Sequence, residues 1–217
     1  HDVVAFEAME HEGKEYMVHA DIEDEGQTVR VVDIHTTATN PEAGDNLGSA
    51  SEELELVDAV AYENLTPGSP YRLTATLYDS ETGSEIVDSE GKVVTAEVEF
   101  TPEEENGIAE VHVTVATEGI AGHTLVFFER LADDEGNTIA THADSEDEGQ
   151  SIHFADIHTT AVDGNDGDKN VVADEKAKVV DTVSYENLIP GKEYVLEGKL
   201  VDKATGETLK DAAGKEI

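Results

Sequence analysis

The chain repeats itself at long range, and this repeat constrains its fold more than any other feature of the sequence. Thr159 lies in the segment Asp-Ile-His-Thr-Thr-Ala and follows Thr36, in an identical segment, by 123 residues. Asp181 follows Asp58 by the same 123 residues, and both lie in the pattern Val-Asp-x-Val-x-Tyr-Glu-Asn-Leu. Gln150 also follows Gln27 by 123 residues. A period the size of an ordinary domain indicates tandem copies of one domain.

The repeat divides the chain into three parts. Residues 1–30 are predicted to be the C-terminal part of one module, 31–153 a complete module, and 154–217 the N-terminal part of the next. Ile217 aligns near Val94 and His1 near His123, so the two partial ends do not add up to a whole module. We therefore expect the chain to be a segment of a longer tandem array. A split module that a neighbouring chain completes is the less favoured alternative.

Within the complete module, apolar residues alternate with polar ones at a period of two. Leu73, Ala75 and Leu77 alternate with threonines and a tyrosine, and turn sequences such as Thr66-Pro67-Gly68 separate the runs. Short alternating strands with frequent turns predict an all-β fold of tandem antiparallel β-sandwich (Ig-like) modules. The predicted strands include 31–38, 55–62, 94–100, 124–130, 138–142 and 150–157, and the sequence allows a short helical turn at 47–56.

Composition excludes several classes of function. The chain has 51 acidic against 13 basic residues, a net charge of −38 and no cysteine. Such an anion repels nucleic acid and anionic lipid, and it cannot form disulfides, zinc-thiolate sites or iron–sulfur sites. No apolar run approaches the roughly 20 residues of a membrane helix. We predict no cofactor, no metal and no membrane insertion in this fragment.

Five polar residues interrupt the apolar faces of the predicted strands. Burying any of them without a partner costs a few kcal/mol, and an isolated carboxylate costs more. We therefore expect these side chains to meet one another inside the module. They are Thr36, Asp58, Glu129, His142 and Gln150.

Together these side chains have the chemistry of a covalent cross-link. Two carboxyls in close, dry contact cannot both ionise, so one keeps a proton that can polarise the Gln150 carbonyl. An imidazole near Thr36 can take the hydroxyl proton. Attack of the Thr36 oxygen on the Gln150 carboxamide, with loss of ammonia, would give an ester between the first and last strands of the module.

The same residues, in this order, resemble a known family. The sequence is similar to the Thr–Gln ester-bond domains, also described as VaFE repeats of Gram-positive surface proteins, over essentially the whole chain. By this resemblance Thr36 is the nucleophile, Gln150 the electrophile, Asp58 and Glu129 the carboxyl pair that shares a proton, and His142 the assisting base. Whether His142 or a carboxylate takes the proton is left open.

The resemblance also implies a biological setting. It implies a structural stalk or fibre module of an extracellular, cell-surface adhesin, cell-wall-anchored in the full-length protein, whose ester gives mechanical and proteolytic resistance. The implied partners are neighbouring repeats of the same polypeptide and a host or surface ligand at a distal tip. The cross-linking is a single autocatalytic event, so the module is not predicted to be an enzyme.

The partial modules carry partial sets of the same residues. Residues 1–30 supply Glu7, His19 and Gln27, and residues 154–217 supply Thr159 and Asp181. Neither end can close its own bond within this chain, so we predict a single ester.

Two other functions compete with the cross-link. A calcium- or carbohydrate-binding adhesin domain would use acidic loops such as 144–148, whose carboxylates are hard oxygen ligands. A hydrolase would use Asp58, Glu129 and His142 on an external substrate, and would need an open cleft.

Overall fold

The computed structural model describes residues 1–49, 53–172 and 177–217. These residues form β-strands joined by turns, with two short 3₁₀ turns at Glu25–Gln27 and Glu148–Gln150. None of the helices in these ranges has the length and apolar character of a membrane span. The strands are β1 Asp2–Val4, β2 Glu7–His11, β3 Lys14–His19, β4 Thr28–Arg30, β5 Asp33–Thr39, β6 Leu47–Gly48, β7 Glu53–Glu63, β8 Tyr71–Asp79, β9 Thr95–Phe100, β10 Gly107–Ala116, β11 Thr124–Asp133, β12 Thr138–His142, β13 Ser151–Phe154, β14 Asp156–Asp163 and β15 Val179–Glu186.

The middle of the chain folds as two packed sheets. The smaller sheet has the strand order β10-β7-β5, and the larger has the order β6-β13-β11-β8-β9, with β12 also paired to β11. The pairs are antiparallel except for β13 with β6, which is parallel. The predicted all-β, antiparallel sandwich is therefore confirmed.

The core follows from the alternation in the sequence. In β7 and β8 every second side chain is buried, because successive residues of a strand point to opposite faces. Leu56 on β7, Leu73 on β8, Val113 on β10 and Phe127 on β11 belong to one buried cluster. The buried residues of that cluster run from Ile34 to Phe154 along the chain. Polar side chains that share these inward positions are consequently held between the two sheets.

The flanking segments form two-stranded sheets of their own. β1 pairs with β4, β2 with β3, and β14 with β15. Tyr185 and Leu196 are exposed, whereas Tyr62 and Leu73, which precede them by 123 residues, are buried in the middle module. The flanks thus have the repeat's local pairing without its sandwich core among the described residues.

One predicted strand is wrong, and the possible helical turn at 47–56 is tested only in part. The predicted strand 150–157 is two strands, β13 and β14, which belong to different sheets, and Gln150 precedes them at the end of a 3₁₀ turn. In the region 47–56, β6 pairs with β13 and β7 begins at Glu53, so the described part of that region is extended. Residues 50–52 lie outside the described residues.

Candidate functional site: a buried Thr–Gln pair with two carboxyls

Thr36 and Asp58 come from neighbouring strands of the smaller sheet. In the register of β5 with β7, Thr36 lies opposite Val60 and Ala38 lies opposite Asp58. Thr36 and Asp58 are therefore diagonal neighbours on the inward face, close enough for side chains to interact. The Thr36 hydroxyl lies near enough to lower the pKa of the Asp58 carboxyl, although the two groups are not aligned as a hydrogen bond.

Glu129 reaches the same point from the opposite sheet. It alternates with Phe127 and Leu131 on the inward face of β11, and its carboxyl meets that of Asp58 across the sandwich. Exposure is 7% for Thr36, 0% for Asp58, 2% for Glu129 and 0% for Gln150. A site this closed gives an external substrate no access, so the geometry does not favour the hydrolase alternative.

Gln150 fills a break in the larger sheet. β12 pairs with β11 up to Glu129 and His142, while β13 pairs with the same edge of β11 only from Val126 to Thr124. The Gln150 carboxamide occupies the gap, donating from Nε2 to the Phe127 carbonyl at 2.8 Å and to the His142 carbonyl at 3.2 Å. A side chain thus satisfies a backbone acceptor that the interrupted ladder leaves open.

The turn that carries Gln150 packs directly on the strand that carries Thr36. A Cβ added to Gly149 would lie 3.1 Å from the Thr36 carbonyl oxygen and 3.0 Å from Asp147 Oδ1. Both contacts are tighter than a Cβ normally makes, so a side chain here would require the Thr36 backbone and Asp147 to shift by a few tenths of an ångström. Asp147 fixes the turn by accepting from the Gly149 amide at 2.7 Å.

The orientation of the Gln150 carboxamide corrects one prediction. Its nitrogen donates to Glu129 Oε2 at 2.6 Å, and its oxygen accepts from the Asp144 backbone amide at 3.3 Å. The two carbonyl acceptors at Nε2 fix this orientation, because a carbonyl accepts hydrogen bonds only. Glu129 therefore adjoins the nitrogen, and the group placed to polarise the carbonyl is the Asp144 N–H, which sequence reasoning missed.

The two carboxyls divide one proton unequally. Burial, the Asp58 charge and a contact with Asp58 raise the pKa of Glu129 to about 10. Burial raises the pKa of Asp58 to about 6, against the opposing effects of its contacts with Glu129 and Thr36. At neutral pH Glu129 therefore holds the proton and Asp58 is ionised.

The groups are close without being fully paired. Thr36 Oγ1, both Asp58 carboxyl oxygens and Glu129 Oε1 are buried and have no partner in hydrogen-bond geometry. Side chains near enough to shift one another's protonation, yet not aligned as formed hydrogen bonds, are costly to bury. The cost is consistent with a site selected for chemistry.

This proton distribution predicts a pH dependence in the Thr36→Ala variant, which cannot form an ester. Folded Glu129 keeps its proton up to a pKa of about 10, whereas an unfolded glutamate loses it near 4.5. Because the folded state then binds more protons, the free energy of unfolding falls as pH rises through that interval. Thermal unfolding between pH 5 and pH 9 measures the effect. The control is the double variant Thr36→Ala/Glu129→Gln, which should lose stability less steeply; equal slopes would contradict the assignment.

His142 borders the site from the end of β12. Its Nδ1 lies 3.9 Å from Glu129 Oε2, and its Nε2 lies 3.1 Å from Asp147 Oδ2. Its ring also packs edge-on against His35, with the ring centres 6.0 Å apart. His35 is exposed, as the alternation predicts, but the sequence did not reveal this contact. The described contacts place Asp58 beside the Thr36 hydroxyl, and place His142 beside Glu129 and the turn.

The two flanking segments carry repeat equivalents of the site residues of the middle module, one part of the set in each segment. Glu7 lies opposite His19, as Glu129 lies opposite His142, and Gln27 Nε2 donates to Glu7 Oε2 at 2.5 Å. In β14 and β15, Ala161 lies opposite Asp181 and Thr159 opposite Val183, which repeats the register around Thr36 and Asp58. Thr159 and Asp181 are exposed.

The acidic turn 144–148 uses its carboxylates locally. Asp144 Oδ1 accepts from the Glu146 amide at 2.9 Å, Asp147 binds the Gly149 amide and His142, and Glu148 binds His153 at 2.9 Å. Among the described residues, no three His, Cys, Asp or Glu side chains are grouped so as to hold a metal ion. The geometry therefore gives the calcium alternative no specific support.

The fold and the site define a class: repeated β-sandwich modules that bury a threonine and a glutamine beside a carboxyl pair. Comparison with known families makes the class specific, because the family of T-Q ester bond containing domains matches residues 1–31, 32–154 and 155–217. The chain belongs to that family, and every part of it is covered by a match. No curated protein matches the chain in sequence.

Among solved structures, the chain is similar to a bacterial adhesin of Mobiluncus mulieris that contains intramolecular disulfide, isopeptide and ester bond cross-links. Its two crystal forms share 12% and 13% identity with this chain, cover 72% of it and 77% and 76% of their own chains, and have TM-scores of 0.49 and 0.47. A β-glucuronidase of Bacteroides uniformis matches 63% of this chain and 16% of its own, at 11% identity and a TM-score of 0.40.

Proposed function

We propose that the middle module closes an intramolecular ester between Thr36 and Gln150, and that the chain is part of the stalk of a cell-surface adhesin. The observation that carries the proposal is the buried meeting of Thr36, Asp58, Glu129 and Gln150, where burial raises the pKa of both carboxyls and raises that of Glu129 further. Membership of the T-Q ester bond family supports it.

In the first step, the Asp58 carboxylate takes the proton of the Thr36 hydroxyl and the oxygen attacks Cδ of Gln150. Asp58 is the base because it is ionised and interacts with that hydroxyl. The carbonyl oxygen gains negative charge in the tetrahedral intermediate, and the Asp144 N–H already points at it. A fixed backbone donor in a dry site stabilises such a charge.

In the second step, the Cδ–Nε2 bond breaks. Glu129 lies 2.6 Å from that nitrogen and donates its proton, so that ammonia leaves and the Thr36 oxygen remains bonded to the Gln150 carbonyl carbon. The proton that Asp58 gained can pass to the neighbouring Glu129 carboxylate. Because Thr36 and Gln150 are consumed, each module reacts once and does not turn over.

The ester would connect the strands that carry load in a stalk. Thr36 lies on β5 of the smaller sheet, and Gln150 directly precedes β13 of the larger one. A covalent bond there replaces hydrogen bonds that each contribute about 1 kcal/mol net. By analogy with disulfides, closing a loop of about 100 residues adds ~4.7 kcal/mol of stability. Buried Ile34, Val60 and Phe127 keep water from the bond.

The ester would also limit how far a tandem array lengthens under force, because only the chain between successive esters could extend. Thr36 follows Gln27 by nine positions, with eight residues between them, and Thr159 follows Gln150 at the same spacing. If every module of a longer array is closed in this way, force passes from one ester to the next through these short segments. Such a stalk, anchored in a Gram-positive cell wall, would present a ligand-binding tip that lies outside this chain.

The intact mass of the purified protein tests the proposal. We expect the wild-type chain to weigh one ammonia less than its sequence, and Thr36→Ala to have the full sequence mass. Thr37→Ala is the matched control, because the adjacent hydroxyl is exposed, and it should also lose one ammonia. A wild-type chain at the full sequence mass would rule out the ester.

A further inference from the structure

A single asparagine joins the middle module to the segment that follows it. Asn187 Nδ2 donates to the carbonyl of His123 at 2.7 Å and to the carbonyl of Phe154 at 3.2 Å. Its Oδ1 lies 3.2 Å from Thr124 Oγ1 and 3.3 Å from His153 Nδ1. Both ends of the amide are therefore occupied by groups of the preceding module.

One of these two contacts recurs at the preceding junction, 123 residues earlier. Asn64 Nδ2 donates to the carbonyl of Val31 at 3.3 Å and to Asp2 Oδ1 at 2.6 Å. Val31 is the repeat equivalent of Phe154. The amide N–H of Val31 donates to the His1 carbonyl at 3.1 Å, and the amide N–H of Phe154 donates to the His123 carbonyl at 2.9 Å. The bond from the asparagine to the carbonyl of Val31 or Phe154 is thus common to both junctions, whereas the second acceptor differs.

The backbone of this residue explains why it is asparagine. Asn64 and Asn187 have φ values of 68° and 56°, in the left-handed region. Glycine, asparagine and aspartate tolerate that region best. Of these three, asparagine alone supplies two side-chain N–H donors. At the second junction both bind carbonyls, and at the first they bind one carbonyl and the Asp2 carboxylate.

We propose that the asparagine of the Tyr-Glu-Asn-Leu motif is an inter-module clasp, which fixes the orientation of each module on the one before it. The partner common to both junctions is the carbonyl of the residue that ends the preceding family match, Val31 or Phe154. The clasp binds the carbonyls of Val31 and Phe154, which lie in the two eight-residue segments 28–35 and 151–158 between a Gln site and the next Thr site. It acts on the neighbouring module whether or not the ester forms.

The ion pairs at the two junctions involve different positions of the repeat, whereas the asparagine occupies the same position at both. Arg30 lies 3.2 Å from Glu105 at the first junction, and Lys192 lies 2.6 Å from Asp45 at the second. These pairs are partly exposed, and exposed pairs contribute little. The repeated asparagine, and not the ion pairs, is therefore the common element.

Residual dipolar couplings of backbone amides in the full chain test the clasp. In the wild type we expect one alignment tensor to fit β7 and β11 together with β14 and β15. In Asn187→Gly, which keeps the left-handed backbone but removes the side chain, the couplings of β14 and β15 should shrink relative to those of β7 and β11. Asn187→Asp keeps the shape and loses both donors, and should have the same effect.

Lys192→Ala is the control and should leave one tensor sufficient. Asn64→Gly is the second variant and should loosen β1 and β4 in the same way. A single tensor retained in Asn187→Gly would overturn the proposal, as would two tensors in the wild type. Loosening by Lys192→Ala as large as that by Asn187→Gly would assign the joint to the ion pair instead. Amide contacts between β14 and β15 show that the strands themselves remain paired in each variant.

Discussion

Thr36→Ala will add a long extension step when the chain is pulled from its two ends, and the wild-type chain will lack that step. The ester, as proposed, bypasses the chain between Thr36 and Gln150. Without it, about 110 residues at ~3.5 Å each are released when the sandwich unfolds, a length of roughly 380 Å before the folded span is subtracted. Single-molecule force spectroscopy measures this directly.

The comparison has a built-in control. Thr37→Ala changes the neighbouring residue on the outward face of β5 and should behave as the wild type, without the step. The expected difference is all or none, because a covalent bond does not yield at forces that separate hydrogen-bonded strands. A wild-type chain that shows the same step as Thr36→Ala would contradict the proposed force path.

Asp58→Asn will stop or severely slow ester formation while the sandwich still folds. The substitution removes the ionised carboxyl that is proposed to take the Thr36 proton and keeps the size of the side chain. Loss of a general base typically slows a reaction by ~100- to 10,000-fold. Freshly purified Asp58→Asn should therefore retain its ammonia, with conversion followed by intact mass over time at constant temperature.

Two further variants help to interpret the result for Asp58→Asn. Glu63→Gln removes an exposed carboxylate from the same strand and should react as the wild type. Glu129→Gln removes the proposed acid at the leaving nitrogen and should also retain ammonia. Cooperative thermal unfolding of each variant shows that the sandwich is intact. Conversion of Asp58→Asn at the wild-type rate would assign the base to another group, and His142 would be the first to test.

The alternation of the strands was sufficient to predict the inward carboxyls and hydroxyl. Thr36, Asp58 and Glu129 occupy apolar faces at a period of two, and a strand has only two faces, so their burial follows from position alone. The same rule predicts Gln150 in a strand, yet it lies on a 3₁₀ turn beside a break in the sheet. Period-two counting cannot locate such a break, because it depends on which strands share the edge of β11.

Contacts made by loops and backbone groups could not be predicted from the sequence, because they depend on the fold of more than one segment. The Asp144 amide carries no side-chain signal, so its position at the Gln150 oxygen emerges only from the fold of the turn. Asn187 was visible as part of a repeated motif, but its partners belong to the preceding module. Residues that act through backbone groups of another segment require the register of both segments to be known.

The most direct measurement of the central claim is the electron density between Thr36 and Gln150 in a crystal of the complete module. We predict continuous density from Thr36 Oγ1 to Gln150 Cδ at covalent bonding distance, with no atom left at the Nε2 position beside Glu129. Two separate side chains at van der Waals distance, with the carboxamide nitrogen still in place, would contradict the account.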